Sequence, residues 1–372
     1  MLIRETWAEI NLDHIEYNIE QIKKKLPQTT EVIAVVKADG YGHGSVQVAK
    51  RALKSGASAL AVALLEEALV LRKASIQVPI LVLGRVPAKY ARLAADNDIT
   101  LTFFQKDWLQ ELKNYSFKKP LKLHMKWDTG MGRIGITSDS ELKELIIELR
   151  KNSNVSLTGI YTHFATADEL ESMYYFQQKE CFEKLLDTFK KEWSQPVAIH
   201  LGNSAASIRF SEDMHNYIRF GISMYGLYPS SGIRDNNQIS LKQAFSLHSR
   251  LAHVKKVSAG ESISYGQTYI AEKDEWIGTL PIGYGDGWIR KLQGFHVLVD
   301  GKYMPIVGRI CMDMMMIRLE QRYDVGTKVT LIGNQKNSRI SMDDVADYLG
   351  TINYEIPCML NERIPRIYTS SK

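Results

Sequence analysis

Val32-Ile33-Ala34-Val35-Val36-Lys37-Ala38-Asp39-Gly40-Tyr41-Gly42-His43-Gly44 is the stretch from which the fold is read. Its opening run is apolar and mostly β-branched with no polar alternation, as a strand covered on both faces of a parallel sheet requires. Gly40, Gly42 and Gly44 then mark a tight turn, and a helical pattern begins at Ser45. Strand, turn and helix in that order form the unit of an α/β fold, whose functional groups gather at the carboxyl ends of the strands. Lys37 occupies that place. A lone lysine at a strand end ordinarily reaches solvent, so its meaning depends on which chemistry the other strand ends carry.

The unit recurs. Apolar runs at Val32–Val36, Ala59–Ala63, Pro79–Leu83, Ile99–Phe103, Leu121–Trp127, Leu157–Thr162, Val197–Leu201 and Tyr217–Met224 alternate with helical patterns such as Glu66–Lys73, Ser140–Lys151 and Glu169–Lys190. Eight βα units predict a TIM-type (β/α)8 barrel, whose usual span of about 250 residues fits. A doubly wound open sheet is the rival, ranked second because no dinucleotide-binding glycine fingerprint follows the first strand. Beyond about residue 240, alternating runs bounded by glycine take over, at Phe245–Val257, Trp276–Pro281, Phe295–Val299, Met304–Val307, Met314–Leu319 and Val329–Ile332, with a hairpin signal at Val299-Asp300-Gly301-Lys302. The expectation is therefore a barrel over residues 11–240 and a mostly β domain over 241–372. The alternating segment Thr6–Leu12 suggests that residues 1–10 pair with the second domain.

Composition excludes other classes. In 372 residues, 47 Lys and Arg stand against 42 Asp and Glu, a net charge of +5 without a basic block, which argues against a nucleic-acid or membrane partner. No signal-peptide core opens the chain, and the apolar stretch from Ala57 to Leu65 is too short to span a bilayer, so a cytoplasmic location is expected. Cys181, Cys311 and Cys358 are too few and too scattered for a disulfide framework or a zinc cluster, and no metal is expected.

Polar residues stand at or near several predicted strand ends: Lys37 on the first, Lys126 and Asp128 on the fifth, His163 on the sixth, and His200, Asn203 and Ser204 on the seventh. Arg219, Gly221 and Ile222 fall within the eighth run. Loops after strands seven and eight of such barrels commonly bind phosphate, which would give Ser204, Gly221 and Ile222 a ligand. His200-Leu201-Gly202-Asn203-Ser204 reads equally as a strand end and a helix cap.

The lysine segment resembles that of the alanine racemases. So do Met125-Lys126-Trp127-Asp128-Thr129-Gly130-Met131-Gly132-Arg133, Tyr161-Thr162-His163-Phe164, His200-Leu201-Gly202-Asn203-Ser204, Arg219-Phe220-Gly221-Ile222, Ser264-Tyr265-Gly266 and Cys311-Met312-Asp313, in family order along the whole chain. The resemblance implies a pyridoxal 5'-phosphate (PLP) enzyme with a barrel and a β domain, a homodimer whose two sites each draw on both chains, and interconversion of L- and D-alanine to supply D-alanine for peptidoglycan. It implies that Lys37 bonds the cofactor and is one catalytic base, and that Tyr265 of the partner subunit is the other. Two bases suit racemisation, because a proton leaves one face of the α-carbon and another returns to the opposite face.

By the same resemblance Arg219 faces the pyridine nitrogen, His200 orients Arg219 and His163 stacks on the ring. Tyr41, Asn203, Ser204, Gly221, Ile222 and Tyr354 match cofactor-binding positions, mostly around the phosphate. Arg133, Met312 and Tyr284 match substrate and entrance positions, with Asp313 beside them. Lys126 matches a lysine that is carbamylated in many members, an unmodified lysine being the alternative. Three rivals remain: a serine or broad-specificity racemase, a PLP decarboxylase, disfavoured by Arg219 and the Tyr265 context, and a non-catalytic PLP-binding barrel, disfavoured by the second domain.

Overall fold

The computed structural model describes residues 3–236 and 238–371. After β1 (Thr6–Asn11) and the helix Leu12–Lys25 come eight parallel strands: β2 (Glu31–Val35), β3 (Ala59–Val62), β4 (Ile80–Arg85), β5 (Ile99–Phe103), β6 (Leu121–Lys126), β7 (Val155–Tyr161), β8 (Ala198–His200) and β9 (Tyr217–Phe220). They pair in sequence order and close when Val32 and Ile33 of β2 align with Ile218 and Arg219 of β9. The expected barrel is present, and its closure rules out the open sheet. Leu60, Val62, Ile80, Val82, Leu101 and Leu123 are wholly excluded from solvent, which is why these strands are continuously apolar.

The surrounding helices show the complementary pattern. Over Asp139–Arg150, Leu142, Leu145, Ile146 and Leu149 are buried on one face, Ser138 accepts from the amide of Glu141, and Glu141 accepts from that of Thr137. The eighth apolar run is shorter as a strand than expected. It stops at Phe220, and Ile222–Tyr225 forms a 3-10 turn with Gly226 in the left-handed region at φ 82°.

The remaining strands are β10 (Phe245–Arg250), β11 (His253–Val257), β12 (Ser262–Ile263), β13 (Tyr269–Ile270), β14 (Glu275–Leu280), β15 (His296–Val299), β16 (Lys302–Val307), β17 (Met315–Leu319), β18 (Lys328–Gln335), β19 (Ser338–Ile340) and β20 (Arg366–Thr369). Most join one sheet in the order β11-β14-β17-β16-β15-β18-β10-β1-β20, with β19 on β18 and β12-β13 as a separate ribbon. β1 lies between β10, antiparallel, and β20, parallel. The Asp300-Gly301 hairpin is also found: Val299 pairs with Lys302, and both turn residues take positive φ, 53° and 82°.

One strand expectation is corrected. The run Phe245–Val257 is two strands, because at Leu251 and Ala252 the backbone shifts its hydrogen bonds from Thr327 to Thr279 and so changes neighbours. The second domain also contains a helix, Met342–Leu349, with Ser341 and Asp344 capping each other's amides and Gly350 ending it at φ 70°. Those capping signals are in the sequence, but the surrounding strand pattern masks them.

The chain divides into two compact units, one of His14–Gly40 and Ser45–Lys242, the other of Met1–Asp13, Tyr41–Gly44 and Gln243–Lys372. The short excursion Tyr41–Gly44 belongs with the β unit for a steric reason. A Cβ on Gly42 would lie 2.1 Å from the carbonyl oxygen of Pro357, so only glycine permits that approach.

Candidate active site

In the barrel unit, Lys37 follows β2 after Val36 and opens a turn of unusual hand. Ala38 and Asp39 both have φ 51°, Gly40 has 63°, Tyr41 has 51° and Gly42 has 76°, so five consecutive residues take positive φ. A left-handed residue other than glycine costs roughly 1–2 kcal/mol, and several bonds hold the turn against that cost. Gly40 donates to the carbonyl of Val36 at 2.9 Å, the amide of Ser45 donates to the Asp39 carboxylate at 2.8 Å, and the amide of Ala38 donates to the Glu67 carboxylate at 2.6 Å. The glycines announced a turn; its handedness through Ala38, Asp39 and Tyr41 had no sequence signal.

Arg219, on β9, is buried. Its Nη1 donates to Nδ1 of His200 at 2.7 Å and to the His200 carbonyl at 3.0 Å; its Nη2 donates to the carbonyls of Thr162 at 2.7 Å and Leu201 at 2.9 Å, with Nδ1 of His163 at 3.2 Å. Among the described residues Nε is left without a protein acceptor. Burial lowers the guanidinium pKa to about 10, which leaves it charged at neutral pH. Burial and then Arg219 push His200 and His163 well below the usual histidine value, so both rings are neutral. A guanidinium only donates. Nδ1 of His200 therefore accepts, its proton resides on Nε2, and Nε2 donates to Nδ1 of His124 at 3.0 Å. Tyr161 stacks on His200 with ring centroids 4.6 Å apart and lies beneath both Arg219 and Lys126. His124 and Tyr161 were not singled out from the sequence, although His124 lies two residues before Lys126 on β6 and so shares its face.

Lys126 is buried and donates to the carbonyl of Trp127 at 2.6 Å. Burial, then Arg219 and Arg133, lower its pKa to about 7, against the pull of Asp128. Asp128 organises the loop that follows: Oδ1 accepts from Gly130 and Gly132 at 3.0 Å each, and Oδ2 from Arg133 at 2.7 Å. Burial opposes ionisation of Asp128, but these amides outweigh it and lower its pKa. The Arg133 guanidinium has no protein partner among the described residues. On the far side, Ser204 Oγ accepts from the amides of Gly221 at 3.0 Å and Ser223 at 3.5 Å, so its own hydrogen remains to be donated, and the buried Ser223 hydroxyl has no partner. Ile222 is buried beside them. Asn203 caps the helix Ser204–Arg209, accepting from Ala206 at 3.0 Å.

The β unit carries the other candidates. Tyr41 and Tyr354 lie with ring centroids 6.4 Å apart, and burial raises the Tyr41 pKa. Tyr265 rides a tight turn between β12 and β13, where Ser264 at φ 68° donates to the carbonyl of Arg309 at 2.6 Å and Ile263 is buried. The Tyr265 side chain is 71% exposed in the single chain and is not a packed aromatic. Tyr284, Met312 and Asp313 come together: the amide of Tyr284 donates to Cys311 at 3.0 Å, that of Gly285 to Met312 at 2.8 Å, and Arg363 bridges Asp313 at 2.6 Å to the buried Asp286, which also holds Arg4.

The barrel unit thus joins Arg219 to His200 and His163, and the β unit brings Tyr41 near Tyr354 and Tyr284 near Met312. A family model described as alanine racemase, N-terminal domain, matches residues 10–229, and one described as alanine racemase, C-terminal domain, matches residues 244–368. The chain belongs to the alanine racemase family. An alanine racemase of Anoxybacillus flavithermus is 55% identical, over 99% of this chain and 96% of its own. A crystal structure of alanine racemase from Bacillus anthracis with bound L-Ala-P superposes with a TM-score of 0.96 at 48% identity, over 99% of this chain and 96% of that one. A histidine racemase from Leuconostoc mesenteroides has a TM-score of 0.89 at 30% identity, over 100% of this chain and 99% of its own.

Proposed function

We propose that this chain is a PLP-dependent alanine racemase, a cytoplasmic homodimer that supplies D-alanine for peptidoglycan and works by two bases. The observation that carries the reading is buried Arg219, whose Nη hydrogens are all directed at protein acceptors while Nε–H remains for a ligand. A donor-only group suits an unprotonated ring nitrogen. The hydroxyls of Ser204 and Ser223 likewise suit a phosphate, since both have a hydrogen to give and no protein acceptor among the described residues. The donor set fits PLP, with Lys37 as its covalent attachment, His163 against the ring, and Tyr41, Asn203, Gly221, Ile222 and Tyr354 around the phosphate. When bound, PLP supplies an electron-withdrawing ring that weakens the Cα–H bond of an amino acid.

The protein groups then divide the work. Lys37 holds or takes a proton at Nζ on one face of the α-carbon, and Tyr265 of the partner subunit does so at Oη on the other. The high exposure of Tyr265 in its own chain supports its use elsewhere. Arg133, without a protein partner for its guanidinium among the described residues, suits a substrate carboxylate. Met312 and Tyr284 frame the approach, with Asp313 beside them. Arg219 keeps the ring nitrogen an acceptor and so limits electron withdrawal, which favours reprotonation over side reactions. An uncharged amine is needed for reaction with CO2, and a pKa near 7 supports a carbamate on Lys126; the anion would sit among Arg219 and Arg133.

Incubation of the purified protein with PLP and each L-amino acid, followed by chiral analysis, should give D-alanine as the leading product. Run in D2O from L-alanine and stopped early, the D-alanine should be almost fully deuterated at Cα while remaining L-alanine stays protiated; substrate hydrogen retained in early product would exclude two bases. Borohydride reduction and peptide mapping should put the pyridoxyl label on Lys37. The likeness to a histidine racemase supports one second reading, the same chemistry on a different side chain, which the chiral survey separates.

A further inference from the structure

Lys37 is bracketed at the end of β3. The amide of Val36, before it, donates to the carbonyl of Ala61 at 2.9 Å. The amide of Ala38, after it, donates to Glu67 Oε1 at 2.6 Å across 29 residues of sequence. Glu67 lies in the first turn of the helix Leu65–Lys73, and its Oε2 does the ordinary work of an acid there, accepting from Ala63 at 2.8 Å and Leu64 at 3.0 Å. One oxygen is enough for that capping. The other leaves its helix for the first residue of the left-handed turn.

We propose that Glu67 is a positioning residue for Lys37, its carboxylate clamping the left-handed turn and so setting the direction in which the lysine leaves the backbone. The turn is intrinsically unfavourable at Ala38, Asp39 and Tyr41, so it needs bonds that a relaxed turn would lack. Its far end is held by Asp39 on Ser45 and its middle by Gly40 on Val36. Ala38 is held by Glu67, through a charge-assisted bond, the stronger kind. If the clamp is lost, the peptide between Lys37 and Ala38 is freed to rotate, and a small rotation there swings Nζ at the end of a long side chain. The consequence for catalysis rests on Lys37 being the reactive lysine; the clamp does not.

Three variants of the full-length protein separate clamp from cap. Glu67→Asp is one methylene shorter, able to cap Leu64 but not to reach Ala38 as well. Glu67→Gln keeps the length but must turn an NH2 toward one set of amide donors. Glu67→Ala removes both functions. Hydrogen exchange by mass spectrometry, with and without PLP, should show the amides of residues 37–41 exchanging about tenfold faster in the Asp and Ala variants, the loss expected for one charge-assisted bond. Residues 65–73 should loosen in the Ala variant alone. With PLP bound, kcat for racemisation in the Asp variant should fall about ten- to a hundredfold with little change in KM, as for a slightly misplaced reacting group. Exchange at 37–41 and kcat both unchanged in Glu67→Asp would overturn the proposal and leave Glu67 a helix cap. Should the wild-type protein racemise nothing, the functional reading fails, and the exchange of residues 37–41 still decides whether Glu67 clamps the turn.

Discussion

Lys126 is a residue whose charge is unwelcome where the fold puts it. Burial and two arginines lower its pKa from 10.5 to about 7. Between those values the unfolded chain binds a proton that the folded chain does not, so stability should rise as pH increases from about 7 toward 10.5. Urea denaturation of the cofactor-free protein in CO2-free buffer should show wild type gaining on Lys126→Met by up to about 1.4 kcal/mol per pH unit in that window. Parallel curves would mean that the amine keeps its proton. With [13C]bicarbonate added, a carbamate resonance should grow above pH 7 in wild type and be missing from Lys126→Met. His124 gives a second test. Its Nδ1 is the acceptor for the proton of His200, so His124→Leu should cost about 1–3 kcal/mol by stranding a buried donor, and His124→Asn, which retains an acceptor oxygen, should cost less. Equal losses on thermal denaturation would show that ring volume, not the hydrogen bond, matters there.

Elements carry the site by ending where they do. β6 stops at Lys126, and a bridge between Trp127 and Ile136 closes the base of the Asp128 loop. Gly135, at φ 132°, allows that closure, since a Cβ there would lie 2.4 Å from the amide of Asp128. The three amides on one carboxylate then point the loop, and Arg133 with it, in one direction. Asp128→Asn should lose at least one of those bonds, lower stability by about 1–3 kcal/mol, and raise KM for alanine more than it lowers kcat. Steady-state kinetics in which KM stays constant would mean that Arg133 is placed by other contacts. At this scale the sequence was most legible for the barrel strands, whose apolar runs are set by burial on both faces. It was least legible at Leu251 and Ala252, where apolar residues continue through a change of strand neighbour.

For the molecule as a whole, the β unit leaves Tyr265, Met312 and Met314 exposed at 71%, 53% and 49%. The proposed dimer, in which Tyr265 works in the partner's site, would cover such side chains. Lys37→Ala and Tyr265→Ala proteins should each be inactive. Refolded together they should regain roughly a quarter of wild-type activity, because half of the dimers formed at random carry one intact site of two. No recovery despite mixed dimers detected by native mass spectrometry would assign both bases to one chain.

Local chemistry in the chain already prescribes the eight parallel strands, the Asp300-Gly301 hairpin and the residue types at the strand ends, because burial pattern and turn preference act over a dozen residues or fewer. Long-range closure decides the rest. Only the barrel brings His124 of β6 to His200 of β8 and Arg219 of β9, a chain of protons that no one segment contains. Only the β unit sets Thr6–Asn11 between β10 and β20, strands more than two hundred residues distant. The left-handed turn after Lys37 is the clearest case: Ala38 and Asp39 have no intrinsic preference strong enough to adopt it, and the carboxylate that bonds Ala38 arrives from a different βα unit.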